Sequence, residues 1–193
     1  MSATLNKKLR RRVLAGEGKT AIYGDFAGTP IEKRAANLLA MIAIPENRKK
    51  YSALNKVFLA LACIIIFTMF HSVFSMPARA RAVGMELTPV YACVAMTYVV
   101  FFMVIYFITT YNVIGYLMVF VFGFTWIFNT MKKIAFGENH VFITKFILTD
   151  VAFGICLLAG MILSVVLFRK LFPSLGFFMN IKRDTNGKPI FET

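Results

Sequence analysis

An all-α integral membrane protein, with four transmembrane helices and an amphipathic, basic cytoplasmic N-terminal segment, is the fold class this sequence predicts. Three observations predict it. Leu87 to Met131 holds forty-five residues with no Lys, Arg, Asp or Glu. As one helix that stretch would be about 67 Å long, whereas a bilayer core is about 30 Å thick, so it must fold back as two spans. The composition agrees, because 59% of the 193 residues are hydrophobic and only 16% charged, against roughly 45–50% and 25% in soluble domains. The third observation is the placement of charge. Twelve of the 22 basic residues lie between Lys7 and Lys56, and five more follow the last apolar run: Arg169, Lys170, Lys182, Arg183 and Lys188. Basic residues flanking spans mark cytoplasmic segments and contact with anionic lipid, and that distribution sets nucleic acid aside as a partner of the +13 net charge.

The first segment, 1–55, is read as cytoplasmic or interfacial. Lys7, Lys8, Arg10, Arg11 and Arg12 alternate with Leu5, Leu9, Val13 and Leu14, a short basic amphipathic helix suited to an anionic membrane face. A frayed charged tail is the alternative. No apolar run follows within reach, so neither a secretory nor a twin-arginine signal is expected, although an Arg-rich, acid-poor start also fits an organelle transit peptide. Gly16-Glu17-Gly18-Lys19-Thr20 resembles the end of a phosphate-binding loop, but Val13 stands where its first glycine belongs, which makes Lys19 an expected surface lysine. Thr29, Pro30 and Glu32 form a capping-box start. Ile31, Ala35, Leu38, Leu39 and Ile42 then recur at helical spacing, which predicts an amphipathic helix over 30–44, stopped before Pro45. Pro45 restarts a helix that runs into the first span.

The bundle is expected over 56–170. Its spans are 57–76, ended by Pro77, Arg79 and Arg81; 89–108, opened by Pro89; 113–131, ended by Lys132 and Lys133; and 146–168, closed by Arg169 and Lys170. The tight turn between the second and third falls at Thr109-Thr110-Tyr111-Asn112, the one polar cluster in the long apolar stretch. A short cytoplasmic tail, 171–193, completes the chain. With both ends inside, cytoplasmic segments hold seventeen basic residues and the outer loops hold Arg79, Arg81, Lys132, Lys133 and Lys145, as the positive-inside rule prefers. Tyr106, Tyr111 and Tyr116 are expected to anchor near the inner interface.

Candidate chemistry is sparse. Asp150 is the one acid expected within a span, and a carboxylate at that depth is a functional candidate. His71 falls at similar depth near the outer end of span one, with Asn129 of span three at the same level. A His71–Asp150 pair supported by Asn129 would orient helices or gate a proton; separate snorkelling to the interface is the plainer alternative. Span four carries Ala152, Cys156, Gly160 and Ser164 at every fourth position, a groove in which a neighbouring backbone can approach closely. Gly115 and Gly123, eight apart on span three, are candidates to meet it. Cys63, Cys93 and Cys156 sit in apolar runs with no metal-ligand spacing, so packing thiols are expected rather than a disulfide framework or a metal site. Glu138 and His140 alone make a poor metal site. No catalytic constellation appears, and no enzyme activity or cofactor is expected.

A non-enzymatic subunit or scaffold of a larger membrane complex is therefore the expected function. The alternatives are a small oligomeric transporter or channel, which needs more intramembrane polar groups, and a membrane immunity or inhibitor protein. The expected partners are anionic headgroups at the basic N-terminus and proteins in the membrane, including further copies of this chain. A bacterial inner membrane is the expected location.

Overall fold

Helices account for all regular structure in the computed structural model, which describes residues 2–136, 148–176, 179–185 and 187–191. In chain order the described helices are α1 (Ser2–Leu14), α2 (Lys19–Gly24), α3 (Glu32–Ala40), α4 (Pro45–Lys50), α5 (Ser52–Phe74), α6 (Met76–Ala82), α7 (Leu87–Thr109), α8 (Val113–Phe136) and α9 (Leu148–Leu171). No β-strand occurs among the described residues, only isolated antiparallel bridges. Three of the helices are long and apolar enough to cross a membrane, over Ser52–Phe70, Leu87–Thr109 and Ala152–Leu171. A shorter apolar stretch, Val113–Phe128, lies in α8.

Two compact units divide the chain. One comprises Met1–Asn55, Tyr111–Val113 and Val166–Thr193; the other comprises Lys56–Thr110 and Ile114–Val165. In the first, the cap, α1, α2 and α3 pack on one another. Leu9 and Val13, four apart on α1, are fully buried with Ile22 of α2 and Ala35, Leu39 and Ala40 of α3. The apolar stripe of α1 is thus covered by its neighbours, and Lys7, Lys8 and Arg11 are left exposed.

Several elements differ from the sequence reading. The helix predicted over 30–44 runs Glu32–Ala40, with Ile31 at its N-cap and no side-chain cap. Thr29 turns away and donates to the Phe26 carbonyl. At the other end Ile42 leaves the helix to bridge Asn112, and Ile44 is extended ahead of Pro45. Lys19, expected at the surface, is fully buried at the start of α2; its aliphatic stem packs within the cap. Within the 171–193 tail the described residues are folded. Backbone bonds join Lys182 to Ser174 and Ile190 to Lys182, and Phe172, Leu175 and Phe191 are buried.

In the second unit the core follows helical spacing. It takes Phe58, Ala62 and Ile65 from α5, Phe101, Val104 and Ile108 from α7, Tyr116 and Val119 from α8, and Leu157 from α9. Tyr116, expected to anchor at an interface, is instead fully buried and stacks on Phe58 with centroids 5.5 Å apart. Its ring fits the core because it faces an aromatic partner, and interfacial tyrosines need an exposed hydroxyl end. Pro77 and the arginines after span one open a separate short helix, α6, which packs on α7. Pro89 falls in the first turn of α7, where its missing N–H costs nothing.

Candidate functional site

The predicted polar group falls on α5, α8 and α9, where His71, Asn129 and Asp150 reside. The side chains of all three lie outside the described residues. Glu138, His140 and Lys145, expected in a polar outer loop, also lie outside the described residues.

The predicted packing residues meet different neighbours. A Cβ on Gly160 would stand 3.1 Å from Ile65 and 3.7 Å from Leu61 of α5, and 3.8 Å from Val119 of α8. Ser164, one turn on, is buried and donates its hydroxyl to the Tyr116 carbonyl of α8. Gly123 of α8 faces α9, where a Cβ would meet Met161 at 2.5 Å and Leu157 at 3.1 Å. Gly115 does not face α9. It lies against the last turn of α7, where a Cβ would stand 2.8 Å from Ile108 N and 2.9 Å from Phe107 Cβ. Ala152 is exposed and Cys156 half-buried; among the described contacts it is the Gly160–Ser164 half of the stripe that receives α5 and α8. An apolar crevice between Ala62, Ile66, Phe101, Val104, Phe122 and Leu157 runs inside this unit.

Polar organisation sits in the cap. Arg12 is a hub: one guanidinium nitrogen is 2.6 Å from Glu17 and another 2.5 Å from Asp25. The bond to Glu17, followed by that to Asp25, raises the Arg12 pKa further above its already high value and keeps it charged. Tyr23 donates to Glu32, and the Gly28 N–H donates to the other oxygen of the same carboxylate at 2.8 Å. Gly28 supplies that N–H from a left-handed backbone (φ +73), a conformation glycine adopts at little cost. Tyr23 also packs on Phe191, ring centroids 5.5 Å apart. The α7–α8 turn enters the cap through Tyr111 (φ +52), which lies under the Arg48 guanidinium at 5.3 Å. A cation–π contact and the neighbouring Ile42–Asn112 bridge hold a conformation that a tyrosine seldom adopts.

Four acids of the cap are engaged within it. Glu17 and Asp25 engage Arg12, Glu32 engages Tyr23 and Gly28, and Asp184 accepts from the Lys188 N–H. Lys7, Lys8, Arg11, Lys33, Arg34, Lys49, Lys50, Arg169, Lys170 and Lys182 remain exposed. Sequence reasoning found the basic excess but missed the Arg12 hub and the Tyr23–Glu32 bond. Neither pair has helical spacing, and a turn of unpredictable path separates the partners.

A pH dependence follows. The Glu32 carboxyl is held below the usual carboxylate range, chiefly by the Tyr23 hydroxyl and then by the Gly28 N–H. A depressed folded pKa means that this carboxylate stabilises the cap fully above the unfolded value, near 4.5, and that the contribution is lost as pH falls through the depressed one. The protection of the Gly28 amide against hydrogen exchange, relative to its intrinsic rate at each pH, is expected to fall below that pH. Glu32→Gln should exchange faster at neutral pH and lose the acid response; an unchanged acid response in the variant would contradict the assignment.

Among the described residues no group of three His, Cys, Asp or Glu side chains is placed to hold a metal ion. Only 22%, 22% and 28% of the three long apolar windows is buried within the chain, which leaves Phe67, Met96, Phe102, Ile155 and Ile162 facing outward. Apolar surface of that extent is incompatible with water as the solvent for these faces, and with the helix lengths it defines a helical transmembrane protein. No family model, curated protein or solved structure matches the chain.

Proposed function

We propose that the chain is a four-span protein of the bacterial inner membrane, with both ends in the cytoplasm, and that it serves as a non-enzymatic subunit or scaffold of a larger membrane assembly. The observation that carries this reading is the composition of the cap. It joins the N-terminal helices, the α7–α8 turn and the C-terminal segment in one folded unit, through Ile42–Asn112, Arg48–Tyr111 and Tyr23–Phe191. For these three parts to meet, the chain must cross the bilayer an even number of times between each and the next. That requirement supports α5 with α7 as one pair of spans and α8 with α9 as the other. Sixteen of the 22 basic residues belong to the cap, which favours the cytoplasm for it.

The apolar lining of the crevice within the second unit supports a structural role over a conduction path, which needs polar groups or broken helices. Outward cations on the cap suit anionic headgroups and acidic faces of partner proteins, while the exposed apolar faces of the spans suit lipid and neighbouring helices. Purification of the tagged full chain in mild detergent tests the reading. Stoichiometric membrane partners are expected. Isolation as a homo-oligomer that conducts ions or solutes in liposomes would replace it with the transporter reading.

A further inference from the structure

We propose that a pocket at the C-terminal end of α9 binds the headgroup of an anionic phospholipid, with Arg169 and Lys182 on its phosphate. The pocket, of about 320 Å³, is lined by Phe168, Arg169, Pro173, Leu175, Gly176 and Lys182. Its two cations come from different elements, Arg169 from the last turn of α9 and Lys182 from the returning C-terminal segment. Neither makes an ion pair among the described residues. The nearest acid in sequence, Asp184, is turned to the Lys188 N–H in its own turn.

The frame around the cations is fixed. Lys182 N–H donates to Ser174 O at 3.0 Å, Ile190 N–H donates to Lys182 O at 2.9 Å, and Leu175 bridges Ile181. Lys182 is therefore held by backbone bonds on both sides, opposite the buried Phe168 and Leu175. A pocket that pairs two cations with an aromatic and aliphatic wall matches an amphiphile at the headgroup–acyl boundary. A small hydrated anion would gain nothing from the wall. Placement argues the same way, because Arg169 lies within the last turn of the apolar window Ala152–Leu171, at the depth where a span meets headgroups. Basic pockets at the cytoplasmic ends of spans are known hosts for anionic headgroups.

The inference rests on α9 crossing the membrane and not on the identity of any protein partner, so it is tested by direct lipid binding. The full chain is placed in nanodiscs of phosphatidylcholine, with increasing phosphatidylglycerol, and bound lipid is counted after transfer to detergent by native mass spectrometry. One phosphatidylglycerol retained per chain is expected. Arg169→Gln with Lys182→Gln should weaken retention about 30-fold, a factor of about five for each cation at the membrane surface. Arg79→Gln with Arg81→Gln, which removes two exposed cations of α6, should leave retention unchanged. Both pairs are at exposed positions, and an unaltered helical circular dichroism spectrum certifies their folding. Retention that is equal in all three proteins would overturn the proposal, as would equal loss from the α6 pair. Inorganic phosphate that displaces the lipid at comparable concentration would reassign the pocket to the free ion and overturn it likewise.

Discussion

Gly115→Ala is expected to destabilise the α7–α8 hairpin by roughly 1–3 kcal/mol, and Gly115→Val by more. A Cβ at this position would stand 2.8 Å from Ile108 N and 3.0 Å from Phe107 C. Those atoms are backbone, in the last turn of α7, and cannot swing aside as the end of a side chain can. The hairpin must open for the methyl to fit, and Tyr111, already left-handed at φ +52, sits in the turn that would have to change. Gly154→Ala is the matched control. Among the described residues its Cβ would touch only Trp126, at 3.8 Å, an ordinary contact. There the helix propensity of alanine over glycine, about 1 kcal/mol, acts with no opposing clash, so the variant should be as stable as the parent or more so. Unfolding of the detergent-solubilised chain by sodium dodecyl sulfate, followed by helical circular dichroism, separates the two. A Gly115→Ala protein as stable as Gly154→Ala would mean that the hairpin is looser than these contacts indicate.

The contrast between these two glycines shows what was legible in the sequence. Lipid as solvent was legible, because forty-five consecutive uncharged residues leave no charged face to turn toward water, and the turn was legible because Thr109 to Asn112 interrupt them. Among the described residues three helices are long and apolar enough to cross a membrane, and the stretch read as the third span holds the shorter apolar run Val113–Phe128. What each small residue faces was not legible. Gly115 and Gly123 share a face of α8 by spacing, yet one meets α7 and the other α9, because Gly115 lies beside the turn where α7 ends. The cap was half legible. Its basic excess could be counted, but the burial of Lys19 and the bonds from Arg12 to Glu17 and Asp25 depend on the path of the chain after the turn at Gly16. A capping box at Thr29 and Glu32 was a sound local expectation that tertiary contacts overrode. Glu32 does reach back, but to the Gly28 N–H and the Tyr23 hydroxyl rather than to Thr29. For the predicted His71–Asp150–Asn129 group, spacing along separate helices fixes depth and not proximity.

Tyr116→Ala should produce the largest loss of stability of any single truncation in the second unit. The side chain is the largest of those fully buried, its ring stacks on Phe58 with 15° between planes, and its own carbonyl receives the Ser164 hydroxyl. Truncation leaves a cavity between α5, α8 and α9 and strips Phe58 of its stacking partner. In aqueous cores such a change costs about 3–5 kcal/mol. Lipid supplies little hydrophobic driving force between helices, so lost dispersion and stacking dominate and roughly 2–4 kcal/mol is expected here. Tyr116→Phe keeps the ring and should cost less. Ser164→Ala removes one interhelical hydrogen bond, for which about 0.6 kcal/mol is typical in membranes. The ring and the hydroxyl act through different neighbours, so Phe58→Ala and Tyr116→Ala are expected to be strongly non-additive, while Phe58→Ala and Ser164→Ala should nearly add. Additive losses for Phe58 and Tyr116 would show that the stacked pair is not a shared contact, and would remove the reason given for burying a tyrosine where sequence placed an interfacial anchor.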